Sequence, residues 1–285
     1  MAPDIRSAVV TRLRTAGCVF AEDEARLLIS AARTPAELAA MVDRRVAGLP
    51  LEHVLGFAQF CGLRIAVEPG VFVPRQRTEF LVAQAAILAR EAARRAAAPS
   101  RAAAPGHEAT PGREAAGPAV VVDLCCGSGA VGAALIAALD RVELYAVDLD
   151  PTAVRCARRN VGATGAQVYE GDLYEPLPAT LRGRVDILVA NAPYVPTDQL
   201  RLLPPESRIH EPRVALDGGA DGLDVLRRVI AEAPRWLAPG GHLLVETSER
   251  QAPRLTESAT QVALTPRIAN SIEQNATIFI ATLPT

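Results

Sequence analysis

The chain has 285 residues, of which 49% are hydrophobic, and its 30 basic and 32 acidic residues leave a net charge of −2. This is enough apolar material for one large domain or two ordinary ones. No apolar run reaches the roughly 18 residues of a membrane span, and near-neutrality is weak evidence against bulk nucleic-acid binding. Scattered charges in the first residues argue against a secretory signal, so we expect a cytoplasmic protein.

The cysteines do not follow a metal-binding or disulfide pattern. They are five in number, an odd count, and no C-x-x-C spacing occurs among Cys18, Cys61, Cys125, Cys126 and Cys156. Zinc-site spacing and a secreted disulfide framework are therefore not predicted. We expect reduced intracellular thiols and no metal site.

Residues 1–83 predict a small helical domain with a β-hairpin. In TPAELAAMVDRRVAG, Thr34 and Glu37 form a capping-box pattern and Gly48 marks the end of the helix. Apolar and polar residues then alternate around Gly62, which indicates a hairpin. Residues 84–118 predict a strong helix followed by a flexible Ala/Pro/Gly linker over 98–118, because APSRAAAPGHEATPGREAAGP has no apolar periodicity.

Residues 119–285 alternate strand and helix patterns. The predicted strands contain AVVVDL, VELYAVDLD, AQVYEGDL, VDILVANAPY and GHLLVETS, and a last pair near 262–268 and 276–282 predicts a terminal hairpin. This order predicts an α/β fold with a mainly parallel sheet. Ligands in such sheets bind beyond the carboxyl ends of the strands.

The first strand leads into a literal G-x-G-x-x-G made by Gly127, Gly129 and Gly132. Asp148 ends the next strand, where an acid can hydrogen-bond ribose hydroxyls. NAD and S-adenosylmethionine both carry an adenosine ribose. These residues alone therefore do not choose between an oxidoreductase and a methyltransferase.

Three further features favour a methyl donor. Asp123 closes an apolar strand just before the loop, where it suits the charged amino group of S-adenosylmethionine rather than a pyrophosphate. Asp172 follows the third strand and is placed to accept from the adenine amine, although a simple turn residue is an equal alternative. The fourth strand ends in Asn191-Ala192-Pro193-Tyr194. Such a turn offers a side-chain carbonyl, a backbone carbonyl and an aromatic face to a planar amide or amine.

Taken together, these motifs resemble the bacterial protein-(glutamine-N5) methyltransferases that modify peptide-chain release factors. The resemblance rests on RRVAGLPLEHVLGFAQFCGLRIAVEPGVFVPRQRTEFLV, DLCCGSGAVG and RIHEPRVALDGGADGLDVLRRVI, and it covers nearly the whole chain outside the linker. It implies a class I S-adenosylmethionine-dependent methyltransferase with a seven-stranded, mainly parallel, Rossmann-like sheet and a terminal antiparallel strand.

The resemblance also implies site residues and a partner. The expected catalytic turn is Asn191, Ala192, Pro193 and Tyr194. The expected S-adenosylmethionine-binding residues are Phe72, Asp123, Cys125, Cys126, Gly127, Ser128, Gly129, Asp148, Asp172, Leu173 and Asn191. The expected partner is a release factor, methylated on the glutamine of its Gly-Gly-Gln motif by a monomeric enzyme that binds neither nucleic acid nor membrane.

The chain departs from the family pattern at two places. Ala192 replaces the second residue of Asn-Pro-Pro-Tyr, which loosens a turn that proline would restrict. Gln76-Arg77 replaces the Pro-Glu of Pro-Arg-Pro-Glu-Thr-Glu, so that a base stands where the family has an acid. Both changes bear on the substrate more than on the reaction.

Several alternatives therefore remain. They are a paralogue with another protein or small-molecule substrate, a nucleic-acid amino methyltransferase, an NAD(P)-dependent oxidoreductase and a catalytically inactive binding module. In His210-Glu211-Pro212 we expect His210 to be structural and Glu211 to make the functional contact. The glycines between Asp217 and Asp224 predict turns rather than a metal site.

Overall fold

The computed structural model describes residues 4–97 and 117–285. The predicted linker over 98–118 therefore lies outside the described residues except for its last two positions. Among the described helices, none has the length and apolarity needed to cross a bilayer.

The N-terminal part is a packed group of four helices, α1 (Ile5–Thr15), α2 (Ala21–Ala31), α3 (Pro35–Val46) and α4 (Leu51–Leu55). Leu13, Leu28 and Val42 form its buried core. The Thr34 side chain caps α3 by accepting from the Glu37 N–H at 3.1 Å. The Glu37 carboxylate accepts from the N–H of Arg33 at 2.8 Å, one residue earlier than in a standard capping box.

The predicted hairpin consists of β1 (Phe57–Phe60) and β2 (Leu63–Ala66), paired antiparallel around Gly62. Asn160 joins this hairpin to the glycine-rich loop. Its Oδ1 accepts from the Ala66 N–H at 2.9 Å, and its Nδ2 donates to the Ser128 carbonyl at 2.8 Å. The hairpin therefore lies beside the predicted cofactor loop.

The large sheet has seven strands: β3 (Ala119–Leu124), β4 (Val142–Asp148), β5 (Gln167–Glu170), β6 (Val185–Ala190), β7 (Leu237–Thr247), β8 (Thr265–Ser271) and β9 (Ala276–Thr282). Their order across the sheet is β5-β4-β3-β6-β7-β9-β8. The first five are parallel, and β9 is antiparallel to both of its neighbours, which confirms the predicted fold class and terminal hairpin.

Helices cover both faces of the sheet. They are α5 (Glu79–Ala97), α6 (Ala130–Ala138), α7 (Pro151–Val161), α8 (Pro205–His210), α9 (Asp224–Glu232) and α10 (Ala252–Gln261). One face packs against α5 and α6 and the other against α9 and α10. The chain order reverses between β3 and β6, which is where doubly wound sheets open a crevice for a ligand.

Candidate active site

A cleft opens at the carboxyl ends of β3, β4 and β6. It encloses about 1100 Å³ of empty space, counting its open mouth, which is enough for a nucleoside with an amino-acid tail. Ten of the eleven predicted cofactor residues line it: Phe72, Asp123, Cys125, Cys126, Gly127, Ser128, Asp148, Asp172, Leu173 and Asn191. Gly129 lies behind the cleft as the N-cap residue of α6.

The glycine loop is shaped for close approach of a ligand and of neighbouring elements. Gly127 has φ +54°, and a Cβ there would meet no atom within 4 Å, so its surface is open to a ligand. A Cβ on Gly132 would lie 2.7 Å from Leu144 Cδ2, so α6 lies close to the side chains of β4 at this position. Burial raises the pKa of the Cys125 and Cys126 thiols, which keeps them protonated and unreactive.

Asp123 is a buried carboxylate, 1% exposed, at the end of β3. Its Oδ2 accepts from the Gly132 N–H at 3.0 Å, and among the described residues no arginine forms an ion pair with it. Burial raises its pKa to about 7, with a smaller contribution from the charge of Asp148. A buried acid without a cationic partner at the edge of a cleft fits the ammonium group of S-adenosylmethionine.

Asp148, at the end of β4, shapes the cleft from the other side. Its Oδ2 accepts from the Gly127 N–H at 2.8 Å and its Oδ1 from the Asp150 N–H at 2.9 Å. Each carboxylate oxygen keeps further acceptor capacity. The side chain can therefore hold the loop and still accept from ribose hydroxyls.

Asp172 forms an ion pair that the sequence did not predict. Its Oδ2 accepts from Arg228 Nη2 on α9 at 2.8 Å, and both side chains are partly exposed. Arg228 also lines the cleft, a neighbour that sequence reasoning missed. The adjacent Leu173 has φ +50° and is buried at the cleft wall. An adenine amine would have to bind the remaining acceptor capacity of Asp172.

The Asn191–Tyr194 turn follows β6 at the mouth of the cleft. A Cβ on Gly218 would lie 2.7 Å from the Pro193 carbonyl oxygen, and one on Gly222 would lie 2.3 Å from that of Tyr194. The glycines therefore let two backbone segments touch, beyond their predicted role as turns. Among the described residues no group of acidic, histidine and cysteine side chains is arranged to hold a metal ion.

A hydrogen-bonded network supports this turn. Asn191 Nδ2 donates to Thr78 Oγ1 at 3.3 Å, and Thr78 donates to Glu246 Oε2 at 2.5 Å. Glu246 Oε1 accepts from Tyr194 at 2.9 Å and from Arg77 Nε at 2.9 Å. Arg77, the base that departs from the family pattern, is thus the ionic partner of a buried acid.

Sequence reasoning missed Glu246. The available signal was an acid at the end of an apolar strand, the same signal that identified Asp123. Glu246 is 1% exposed, so its charge requires partners, and these come from Thr78, Arg77 and Tyr194.

Glu211 anchors the segment that carries Phe72, one of the residues that line the cleft. Arg75 Nη2 lies 2.6 Å from both of its oxygens, and the Val73 N–H donates to it at 3.2 Å. The Arg75 guanidinium also lies 4.7 Å from the centre of the Phe72 ring. The expected functional contact of Glu211 is therefore one that holds the segment over the cleft, and that segment carries Phe72.

The doubly wound sheet, the glycine loop with an acid ahead of it and the Asn-X-Pro-Tyr turn beside it define a class I methyltransferase. The family described as "Methyltransferase small domain" matches residues 114–219. The release factor glutamine methyltransferase of Geobacter sulfurreducens is 41% identical over 223 residues, covering 76% of this chain and 68% of that protein. The chain belongs to the release factor glutamine methyltransferase family, and its cofactor is S-adenosylmethionine.

Other relatives differ in what they are named for. A Streptomyces pristinaespiralis protein named 4-amino-L-phenylalanine/4-methylamino-L-phenylalanine methyltransferase is 35% identical, covering 74% of this chain and 65% of that protein. The solved protein-(glutamine-N5) methyltransferase of Alicyclobacillus acidocaldarius is 21% identical with a TM-score of 0.41, over 78% of this chain and 100% of that one. Family membership excludes the NAD-dependent alternative that the glycine motif left open.

Proposed function

We propose that this chain transfers the methyl group of S-adenosylmethionine to the side-chain amide nitrogen (N5) of a glutamine in a peptide-chain release factor, at its Gly-Gly-Gln motif. The observation that carries the proposal is the Asn191–Tyr194 turn beside the cleft that contains Asp123. Relatives named for this activity support the choice of substrate.

The residues of the cleft suggest how the cofactor is held. The Asp123 carboxylate pairs with its ammonium group, Asp148 accepts from its ribose hydroxyls and Asp172 accepts from its adenine amine. Phe72 and Leu173 supply apolar walls. The bound cofactor supplies an electrophilic methyl group on a positively charged sulfur.

The chemical difficulty is the nucleophile. A glutamine amide nitrogen is weak because its lone pair is delocalised, so the site must orient it and stabilise the positive charge that develops on it. Asn191 Oδ1 and the Ala192 carbonyl accept its two N–H groups. These acceptors favour the transition state electrostatically, and fixed geometry lowers the entropic cost. The product nitrogen then loses one proton to water.

The rest of the chain serves recognition in this proposal. Residues 1–83 form the unit that recognises the protein substrate, 84–118 contain most of α5 and the predicted linker, and 119–285 carry the chemistry. Arg45, which is buried among the N-terminal helices, pairs with Glu24 and with the half-exposed Glu206 of α8, so this pair joins the two parts of the chain structurally. The enzyme acts as a cytoplasmic monomer without direct contact with nucleic acid.

Mass spectrometry of a release factor incubated with enzyme and S-adenosylmethionine tests the proposal. We expect the gain of one methyl group on the glutamine of the Gly-Gly-Gln motif. Asn191→Ala should abolish this gain while cofactor affinity stays nearly unchanged, and Asn270→Ala, on the exposed edge strand β8, serves as the matched control. Turnover retained by Asn191→Ala would refute the two-acceptor mechanism.

A second candidate substrate is an aromatic amine on a small molecule. The relative from Streptomyces pristinaespiralis supports it, as does the replacement of the family acid by Arg77 next to the turn. An aryl amine also presents two N–H groups to Asn191 and Ala192. Offering 4-amino-L-phenylalanine in the same assay separates the two candidates.

A further inference from the structure

Glu246 does not line the cleft, but it is buried behind the catalytic turn and hydrogen-bonded to Thr78, which does line it. Its connection to Asn191 runs through one hydroxyl group, that of Thr78. The inference below rests on the proposed function, since it concerns how Asn191 is presented to a substrate nitrogen.

The Glu246 carboxylate determines which group donates and which accepts in each hydrogen bond between Glu246, Thr78 and Asn191. Glu246 is ion-paired with Arg77 at 2.9 Å, so its carboxylate has acceptor atoms only. The Thr78 hydroxyl must therefore donate its single proton to Oε2. Its oxygen is left to accept, and the group that donates to it is the NH2 of Asn191.

An amide whose NH2 is held on one side presents its oxygen on the other. Among the described residues, no donor is hydrogen-bonded to Asn191 Oδ1, and Asn191 lines the cleft. We propose that Glu246 is a positioning residue that acts through the Thr78 hydroxyl and holds the Asn191 amide with Oδ1 towards the substrate nitrogen. Without this connection, the amide could equally present its NH2, which repels a substrate N–H.

Glu246→Gln gives this proposal a distinctive consequence. Arg77 Nε and the Tyr194 hydroxyl both donate to Oε1, so the new amide must keep its oxygen on that side. Its NH2 then faces Thr78 and donates to Oγ1. The hydroxyl proton is redirected to Asn191, which turns its oxygen inward and its NH2 towards the substrate. An isosteric change that touches no substrate thus reverses the polarity of the acceptor.

The kinetic test compares four variants with the wild type on the methylated substrate. We expect Glu246→Gln to lower kcat by about 100-fold, as for loss of one oriented group in an active site, with cofactor affinity within about twofold. Thr78→Val, which only frees the amide, should lower kcat by about 10-fold. Thr78→Ser should restore most of the activity. In Thr78→Val/Glu246→Gln the fall should equal that of Thr78→Val alone, since the connection is already broken.

The matched control is Glu206→Gln, which makes the same change in a carboxylate that also pairs with an arginine, Arg45, outside the network. We expect it to leave kcat within about twofold. Far-UV circular dichroism and cofactor titration establish that each variant is folded.

The structural test is independent of the substrate. In the wild type, the side-chain NH2 of Asn191 should show a nuclear Overhauser effect to the Thr78 methyl group, with the NH2 signal assigned by its loss in Asn191→Asp. Glu246→Gln should abolish this effect, and Glu206→Gln should retain it.

Two results would overturn the inference. One is a nuclear Overhauser effect between Asn191 and Thr78 that persists in Glu246→Gln. The other is a fall in kcat in the double variant that equals the product of the falls in the two single variants. If the wild type methylates neither substrate, the proposed function fails. The nuclear Overhauser measurement still decides the orientation of Asn191 in that case.

Discussion

Asp123 should make cofactor binding depend on pH. The folded protein raises the pKa of this carboxyl to about 7 because it is buried, and only the ionised form can pair with the cofactor's ammonium group. At pH 6 about one tenth of the groups are ionised, and at pH 7 about half. We therefore expect the dissociation constant to fall about fivefold between pH 6 and pH 7.

Asp123→Asn should remove this dependence. Its Oδ1 can still accept from the Gly132 N–H, so the loop should keep its shape. The loss of a charge-assisted contact should weaken cofactor binding at pH 7 by about 1.5–3 kcal/mol, or roughly 10- to 150-fold. Isothermal titration with S-adenosylmethionine in matched buffers measures both effects.

The Asp148→Asn variant distinguishes the contribution of Asp123 to the pH dependence of binding from that of Asp148, since burial also raises the pKa of Asp148. A wild-type dissociation constant that is flat from pH 5.5 to 7, or the same slope in Asp123→Asn, would refute the assignment of the ammonium group to Asp123.

The same raised pKa should make the enzyme without cofactor less stable as pH rises, whereas cofactor binding becomes tighter. The unfolded chain releases this proton near pH 4, whereas the folded chain keeps it until about pH 7. The folded state therefore binds more protons in this window, and the free energy of unfolding falls as pH rises through it. Asp123→Asn should flatten that decline in thermal melts without cofactor, and a decline of unchanged slope would contradict the burial argument.

Two further predictions concern the walls of the cleft. Glu211→Gln weakens the ion pair with Arg75, so the cofactor should dissociate about 5- to 30-fold faster in stopped-flow measurements. Glu68→Gln, in the exposed pair with Arg159, is the control and should not change the dissociation rate. Equal dissociation rates in Glu211→Gln and the wild type would contradict the proposal that Glu211 helps to retain the cofactor. Gly218→Ala should cost about 1–3 kcal/mol in urea unfolding because its Cβ would lie 2.6 Å from the Gly222 carbonyl oxygen and 2.7 Å from that of Pro193, both backbone atoms. Gly162→Ala, with open space and a helical backbone, should be neutral or stabilising.

Local patterns determined most of the secondary structure. Thr34, for example, caps α3 as its sequence context predicts, and alternation around Gly62 predicts the hairpin. The helices α8 and α10 were not predicted. In α10 the buried face consists of Ala252, Leu255 and Ala259 alone, so a mostly polar sequence becomes helical by docking on the sheet.

The sequence by itself determined the class of the protein and the ligand loop. The alternation of strands and helices, the glycines after β3, and Asp123, Asp148 and Asn191 at strand ends are local features. Local periodicity and turn chemistry encode them, so they can be read without knowing what packs against what.

Only the tertiary structure decided which residues surround the Asn191 amide. Thr78 is hydrogen-bonded to Asn191, 113 positions later in the sequence, and to Glu246, 168 positions later. Arg77 is hydrogen-bonded to Glu246 over a sequence separation of 169. No local pattern specifies such partners. A buried acid requires its charge to be satisfied, and the fold alone brings the residues that satisfy it to the end of β7.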